Sequence, residues 1–336
     1  MIETPYNSVN DERLQSLLHW LNSKGIDFDH LTVASADAGF RRYFRLHNQN
    51  SSLIAVDAPP EYEDTAAFIA IANSLRNSGL RPPTIHCYSS EKGFLLIEDF
   101  GDRHLQQSLE QNQTDGTLPN HLYQQAMTSI ERMQKHTDTT LLPVCDSAFL
   151  RAELELFPTW YLNTHRDIHL DSEQREILNN TFDTLTWSAT AQPYRFMHRD
   201  YHCRNLMVSD QDTLGLIDFQ GAMLGPVTYD PVSLLKDVYI DLSADFQQQL
   251  MERHRATLTP EIVPQTYQRW FDLMGLQRHL KILGIFSRLK HRDNKPHYLS
   301  HLPTVISHIE KTLANYAELS EFYALFKQLH TGNHLT

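Results

Sequence analysis

Residues 198–220 read HRDYHCRNLMVSDQDTLGLIDFQ, and two features of this stretch decide how the rest of the chain is read. The first is a spacing: His198-Arg199-Asp200 is followed by Asn205, five residues after the aspartate. His-Arg-Asp also occurs at His165 to Asp167 and at His291 to Asp293, but there the fifth position holds Ser172 and Tyr298. The second is a hairpin. Leu206-Met207-Val208 and Leu214-Gly215-Leu216-Ile217 are short apolar runs separated by Ser-Asp-Gln-Asp-Thr, so they read as one strand out, a polar turn and one strand back. Neighbouring strands lie only about 4.8 Å apart. Asn205, just before the first strand, is thereby set beside Asp218, just after the second.

An Asp with an Asn five residues on, then a second Asp across a hairpin, is the spacing of a phosphoryl-transfer loop, where the Asn carries a metal and the Asp accepts a hydroxyl proton. One amide oxygen and one carboxylate, with Asp200 close by, suit Mg²⁺, which prefers hard oxygen ligands and takes few of them from protein. Other patterns of this kind carry less. Asp99-Phe100-Gly101 spells the metal-binding tripeptide of protein kinases but lies far ahead of the loop it would have to follow. His297 and His301 have i, i+4 spacing but no third ligand nearby, and read as solvated helix histidines. Cys203 reads as a small filler.

Outward from the loop, 336 residues are long for one core at about 150 residues per domain, which suggests roughly two units. In residues 1–100 the runs 31–35, 40–46 and 53–57 read as strands, broken by Gly39 and by Asn-Gln-Asn-Ser-Ser. TAAFIAIANSLRNSG reads as a helix, with Phe68, Ile71, Ala72 and Leu75 at helical spacing and Gly79 beyond its end. FLLIED returns as a strand. Residues 101–336 are mainly helical, in LYQQAMTSIERMQKH, SAFLRAELELFPTWYLNTH and LQRHLKILGIFSRLKH, with a β island at 196–218. The fold class is therefore α+β, a small antiparallel sheet with one main helix followed by a larger helical part.

Composition narrows the partners. Hydrophobic residues make up 41% and charged residues 21%, an ordinary folded composition. A net charge of −12 repels nucleic acid and anionic membrane, so a phosphate-bearing ligand needs local cations or a metal, and a small-molecule substrate is expected. MIETPYNSVNDERLQ carries neither a basic start nor an apolar run, and no stretch reaches the ~20 apolar residues of a membrane span. Cys87, Cys145 and Cys203 are far apart without a CxxC, which fits a reducing cytoplasm.

HRDYHCRNLM followed by LIDFQGAMLGPVTYDPVSLLKD resembles the aminoglycoside phosphotransferase and choline kinase superfamily, relatives of protein kinases with the same two-lobed fold. Together with SADAGFRRYFRL, VDAPPEYED and FLLIEDFGD, these motifs are similar to the bacterial anomeric sugar kinases that act on N-acetylmuramate and N-acetylglucosamine in cell-wall recycling. The resemblance implies an N-terminal nucleotide-binding lobe over 1–100, a C-terminal catalytic and substrate-binding lobe over 101–336, and ATP and Mg²⁺ as the phosphoryl donor and metal. It makes Asp200 the base toward the sugar hydroxyl and Asn205 and Asp218 the metal ligands. Asp230, which reads as a helix N-cap before Pro231, would also brace the catalytic loop, with His198 in support. Arg204, Tyr201, His202 and Gln220 flank these groups as candidates for substrate. Glu98-Asp99-Phe100 ends the last strand of the first lobe and becomes a hinge whose backbone could hold adenine.

The chain departs from the protein-kinase pattern in two places. The loop SADAGF has one glycine instead of GxGxxG, and the third strand ends in Asp57 where lysine would stand. Another cation must face the phosphates, and Arg41, Arg42 and Arg45 are the nearest. Strand alternation sends Arg41 and Arg45 to one face and Arg42 to the other. Glu61, Glu63 and Asp64 could pair with such an arginine. At Gly221, where the family often carries Asp, a sugar contact is missing or replaced. Two other activities fit the same residues: phosphorylation of an aminoglycoside or other hydroxyl compound, and nucleotide binding by a non-catalytic regulator.

Overall fold

A computed structural model describes residues 11–35, 40–49, 51–111 and 120–331; Gly39 lies outside them. Two compact units emerge, Met1–Ser108 with Leu206–Gln220, and Leu109–Asn205 with Gly221–Thr336. The described residues open with α1 (Glu12–Ser23), β1 (His30–Ser35), β2 (Arg42–Asn48), β3 (Ser51–Asp57), α2 (Thr65–Asn77), β4 (Ile85–Ser89) and β5 (Phe94–Glu98). Helices α3 (Leu105–Gln111), α4 (Asn120–His136) and α5 (Ser147–Leu154) come next, then a π-helical stretch Phe157–His165 and α6 (Ser172–Thr190). The β island contains β6 (Tyr194–Met197), β7 (Leu206–Val208), β8 (Leu214–Leu216) and β9 (Met223–Pro226). Among the described residues, the α-helices that follow are α7 (Tyr229–Leu235), α8 (Ala244–Leu258), α9 (Pro264–His291), α10 (Leu302–Leu313) and α11 (Ser320–Thr331).

The first unit is an antiparallel sheet in the order β1-β2-β3-β5-β4. Alternation along the strands assigns its faces. Phe44 pairs with Ala55, and both join Leu46, Phe94 and Leu96 against Leu14, Leu17, Trp20 and Leu21 of α1. Ile54, Val56, Leu95 and Ile97 are buried on the opposite face. Asp11 starts α1 by accepting the Leu14 N–H at 2.9 Å, and Asp64 does the same for α2 with Ala67 at 2.9 Å. Gly79, at φ +74°, follows the end of α2 as expected.

Two elements of this unit exceed the expected β-β-β-α-β. Helix α1 is a second helix, with its leucines at helical spacing. Strand β4 sits at the sheet edge with His86 and Tyr88 exposed, so it has no apolar run to mark it. The hairpin β7–β8 forms as expected, with Leu206 opposite Leu216 and Val208 opposite Leu214. It packs with this unit through Val208 N–H to Arg103 O at 2.8 Å and Leu216 N–H to Arg81 O at 2.9 Å.

The second unit is built around α9, 28 residues long and buried along most of its length. Leu276, Leu280 and Leu283 share a core with Phe157, Tyr161, Phe182, Val305, Ile309, Phe322 and Phe326. The stretch 147–165, expected as one helix, is two: α5 stops at Leu154, and Pro158, which lacks an N–H, sits at the start of the π-helical turns. The β island also extends further than expected, because β6 pairs antiparallel with β9. Among the described residues, no helix is long and apolar enough to cross a membrane.

Candidate active site

The loop 198–205 lies in the second unit and hangs on two buried carboxylates. Asp230 accepts the backbone N–H of His198 at 2.7 Å and of Arg199 at 3.0 Å. Asp237 accepts that of Cys203 at 3.1 Å. Asp230 is therefore a brace, but it is not the N-cap that its sequence context suggested. Thr228 precedes α7, and Asp230 sits in the first turn with its carboxylate turned to the loop. Burial pushes the Asp230 carboxyl up to about 7, against the two amide hydrogen bonds and Arg278, which lower it.

Arg199 adopts φ +79° and Asp218 φ +63°, two of the five described non-glycine residues in the left-handed region. Such backbone is unfavourable for a residue with a Cβ and persists only where its surroundings impose it. At Arg199 the constraint is visible: both neighbouring amides are held by Asp230, the guanidinium reaches Glu153 Oε1 at 3.1 Å and lies over the Phe149 ring, and Arg278 donates to the Arg199 carbonyl at 3.3 Å. The chain is turned so that Asp200, the next residue, leaves the brace and remains partly exposed.

The electrostatics of Asp200 suit a base. Burial works to raise its carboxyl, but Lys281, Arg278, His202 and Arg199 outweigh it and hold the group below the usual carboxylate range. Lys281 and Arg278 belong to α9, and both are buried. Lys281 is itself paired with buried Glu153 at 2.7 Å, and that carboxylate also faces Arg199, Gln277 and Tyr229. Lys281, Arg278 and Gln277 had no motif to mark them; the signal was an unusual run of polar residues, Gln277 to His279 and Lys281, inside an otherwise apolar helix pattern.

Asn205 donates from Nδ2 to the Asp200 carbonyl at 3.0 Å, and its own N–H reaches His202 O at 3.0 Å, so the amide is tied into the loop turn. Asp218 is exposed and accepts from Gln220 Nε2 at 2.5 Å; Phe219 between them is buried against Phe68 at 4.8 Å. Asn205, in the second unit, carries an amide oxygen and Asp218, in the first, a carboxylate oxygen, and each by itself is a hard donor. Among the described residues, no group of three or more His, Cys, Asp and Glu stands together as a metal-binding cluster.

The remaining candidates separate by environment. Arg204 stacks on the Tyr239 ring at 3.6 Å, and Tyr239 also meets the edges of His202 at 5.9 Å and His301 at 4.9 Å. This aromatic group beside the loop was not legible in sequence, and His301 is half-buried in it, where a solvated histidine was expected. Tyr201 is fully buried, and its hydroxyl donates to Ala126 O at 2.9 Å, which makes it a packing residue beneath the loop. Burial and Asp237 raise the Cys203 thiol, in keeping with a filler.

In the first unit, Glu98 accepts from Arg81 at 2.8 Å and from Thr84, while Asp99 accepts from Arg45 at 2.6 Å, Ser52 at 2.6 Å and the Gly101 N–H at 2.8 Å. Phe100 lies under Arg81 and against Gly215 of β8. Arg41, Arg42 and Arg45 all form ion pairs; β2 starts only at Arg42, which lies over Phe44 on the α1 face, so Arg41 falls outside the strand whose alternation was expected to place it, and reaches Glu63.

Comparison with known proteins gives the family. Residues 30–266 match the phosphotransferase enzyme family, and the chain belongs to that family. It is similar to the N-acetylmuramate/N-acetylglucosamine kinase of Pseudomonas aeruginosa, at 38% identity over 96% of this chain and 98% of that protein. Among solved structures, it resembles AMP-bound spectinomycin phosphotransferase, with TM-score 0.62 and 15% identity over 89% of this chain and 98% of the other. Choline kinase from Streptococcus pneumoniae gives TM-score 0.61 and 10% identity over 91% and 100%. The protein is a phosphotransferase, and its α+β fold is the protein-kinase-like one that the motifs imply.

Proposed function

We propose that this enzyme transfers the γ-phosphoryl group of ATP to the anomeric hydroxyl of N-acetylmuramate, N-acetylglucosamine or both, giving the sugar 1-phosphate. The near-full-length likeness to a kinase named for these two sugars carries the reading. The braced, ionised Asp200 supports it from the side of the chemistry.

In this reading Asp200 orients the sugar hydroxyl and accepts its proton as the oxygen attacks phosphorus, and the Asp230 brace holds the loop still while it does so. Asn205 and Asp218 would hold Mg²⁺, which when bound offsets charge on the transferring phosphates. Arg204, kept flat by Tyr239, presents a planar donor suited to acetyl or lactyl oxygens, with His202 beside it. Gln220 positions the Asp218 carboxylate. The backbone of Glu98 to Phe100 takes adenine, while their side chains secure the strand end. A cytoplasmic enzyme working on free amino sugars follows from this assignment.

An acceptor panel tests it: protein and Mg-ATP with each amino sugar and with kanamycin-like aminoglycosides, followed by ADP release. Turnover of the amino sugars is expected. Turnover of aminoglycosides without amino sugars would move the substrate to the other class.

A further inference from the structure

The position where a protein kinase keeps its phosphate-binding lysine is taken here by an anchor. Asp57 is fully buried and accepts from Arg13 Nε at 2.8 Å, Arg42 Nε at 2.9 Å and Arg42 Nη2 at 2.6 Å, which ties α1 to β2 and β3. Arg42 is paired with Asp11 as well. Arg45 is likewise held between Asp99 at 2.6 Å and Asp102 at 2.8 Å. Each of these two guanidiniums faces two carboxylates, and each has a structural task.

Arg41 differs. It is only 9% exposed and has one carboxylate partner, Glu63, at 2.9 Å, just ahead of α2. Its guanidinium lies over the Phe68 ring of α2 at 5.3 Å. Its Nη1 is buried and has no hydrogen-bond partner among the described residues. A charged donor left buried and unpaired is unfavourable, so such an atom points to a ligand that completes it. Burial raises the Tyr43 phenol, the charge of Arg41 opposes that rise and the charge of Asp218 adds to it, so Arg41 and Asp218 act on the same side chain.

We propose that Arg41 is the cation that receives the nucleotide's phosphates, held in place by Glu63. The ion pair between strand and helix that protein kinases build from β3 is thus built from the residue just ahead of β2, and Asp57 is released to anchor α1. Guanidinium suits the task because it can keep Glu63 and still donate to phosphate oxygens from its other edge. This inference rests on the ATP reading above.

The test compares ADP with adenosine, two ligands that differ in the phosphates. Binding of each by titration calorimetry is measured for the wild type and for Arg41→Gln, Arg41→Lys, Arg42→Gln and Arg45→Gln, with melting temperature as the check on folding. Arg41→Gln is expected to weaken ADP at least tenfold while adenosine changes less than twofold, and Arg41→Lys to recover part of the loss. Arg42→Gln and Arg45→Gln are expected to lower the melting temperature with the ADP-to-adenosine ratio unchanged. An unchanged ratio in Arg41→Gln, or the selective loss in Arg42→Gln or Arg45→Gln, overturns the assignment alone. A wild type that binds neither ligand overturns the nucleotide reading itself.

Discussion

Asp200 is a carboxylate that burial alone would push toward its neutral form, and the charges of Lys281, Arg278, His202 and Arg199 keep it ionised. A group depressed in this way is fully ionised above the ordinary carboxylate range and is lost as a base only when pH falls through its own lowered pKa. The acid limb of kcat is therefore expected below the ordinary carboxylate range; a limb near neutrality, read from a pH–rate profile, would assign the base elsewhere. Asp200→Asn should lower kcat by roughly 10²- to 10⁴-fold while leaving nucleotide affinity near wild type. Asp230 works through the loop. Asp230→Ala leaves two amides without their acceptor and should cost about 2 kcal/mol or more of stability by denaturant titration, with a fall in kcat. The loop's spacing was legible in sequence because chemistry fixes it. The brace was half legible: the aspartate was visible, but its helix-start context suggested a cap, and only the tertiary turn at Arg199 brings its carboxylate to the loop. Lys281 and Arg278 were illegible as partners, since nothing local relates α9 to a loop some eighty residues earlier.

At the scale of elements, α9 presses on the segment that joins α5 to the π-helical turns. A Cβ at Gly284 would lie 2.4 Å from the Leu156 carbonyl, a backbone group that cannot swing away. Alanine gains about 1 kcal/mol of helix propensity over glycine, but overpacking costs about 1–3 kcal/mol and is worse against backbone. Gly284→Ala is therefore expected to destabilise, and a higher melting temperature would contradict the close approach. Helices α4, α8 and α9 meet at His254, which is fully buried with Nδ1 at 2.6 Å from Tyr267 Oη and Nε2 at 2.9 Å from Gln134 Oε1. Burial, aided by Arg253, lowers its pKa to about 3. The unfolded chain takes up this proton near pH 6.5 and the folded one only near 3, so the contribution is full above about 6.5 and is lost as pH falls toward 3. His254→Gln should be less stable at neutral pH but lose stability less steeply over that window; equal slopes would mean the histidine titrates normally. Long amphipathic helices and the hairpin were readable because their periodicity is local. Strand β4 was not, because an edge strand with one solvated face lacks an apolar run, and the break after α5 was missed because apolar periodicity continues through Pro158.

Across the whole molecule, the chain passes between its two units at 108/109, 205/206 and 220/221, so the hairpin belongs with the sheet and the loop with the helices. With a net charge of −12, it needs placed cations to receive an anionic ligand, and Arg204 and Arg41 are the ones proposed for that task. That placement is what sequence alone left open: three neighbouring arginines look alike in a string, and burial and partners tell them apart. In the proposed reaction, this phosphotransferase acts at the anomeric hydroxyl of an amino sugar. Phosphorus NMR of the product formed from N-acetylglucosamine and Mg-ATP tests it most directly. A phosphorus signal coupled to the anomeric proton, absent with Asp200→Asn, is the expected result. A phosphorus coupled to the C6 methylene protons, or a 1-phosphate that Asp200→Asn still forms at the wild-type rate, would contradict it.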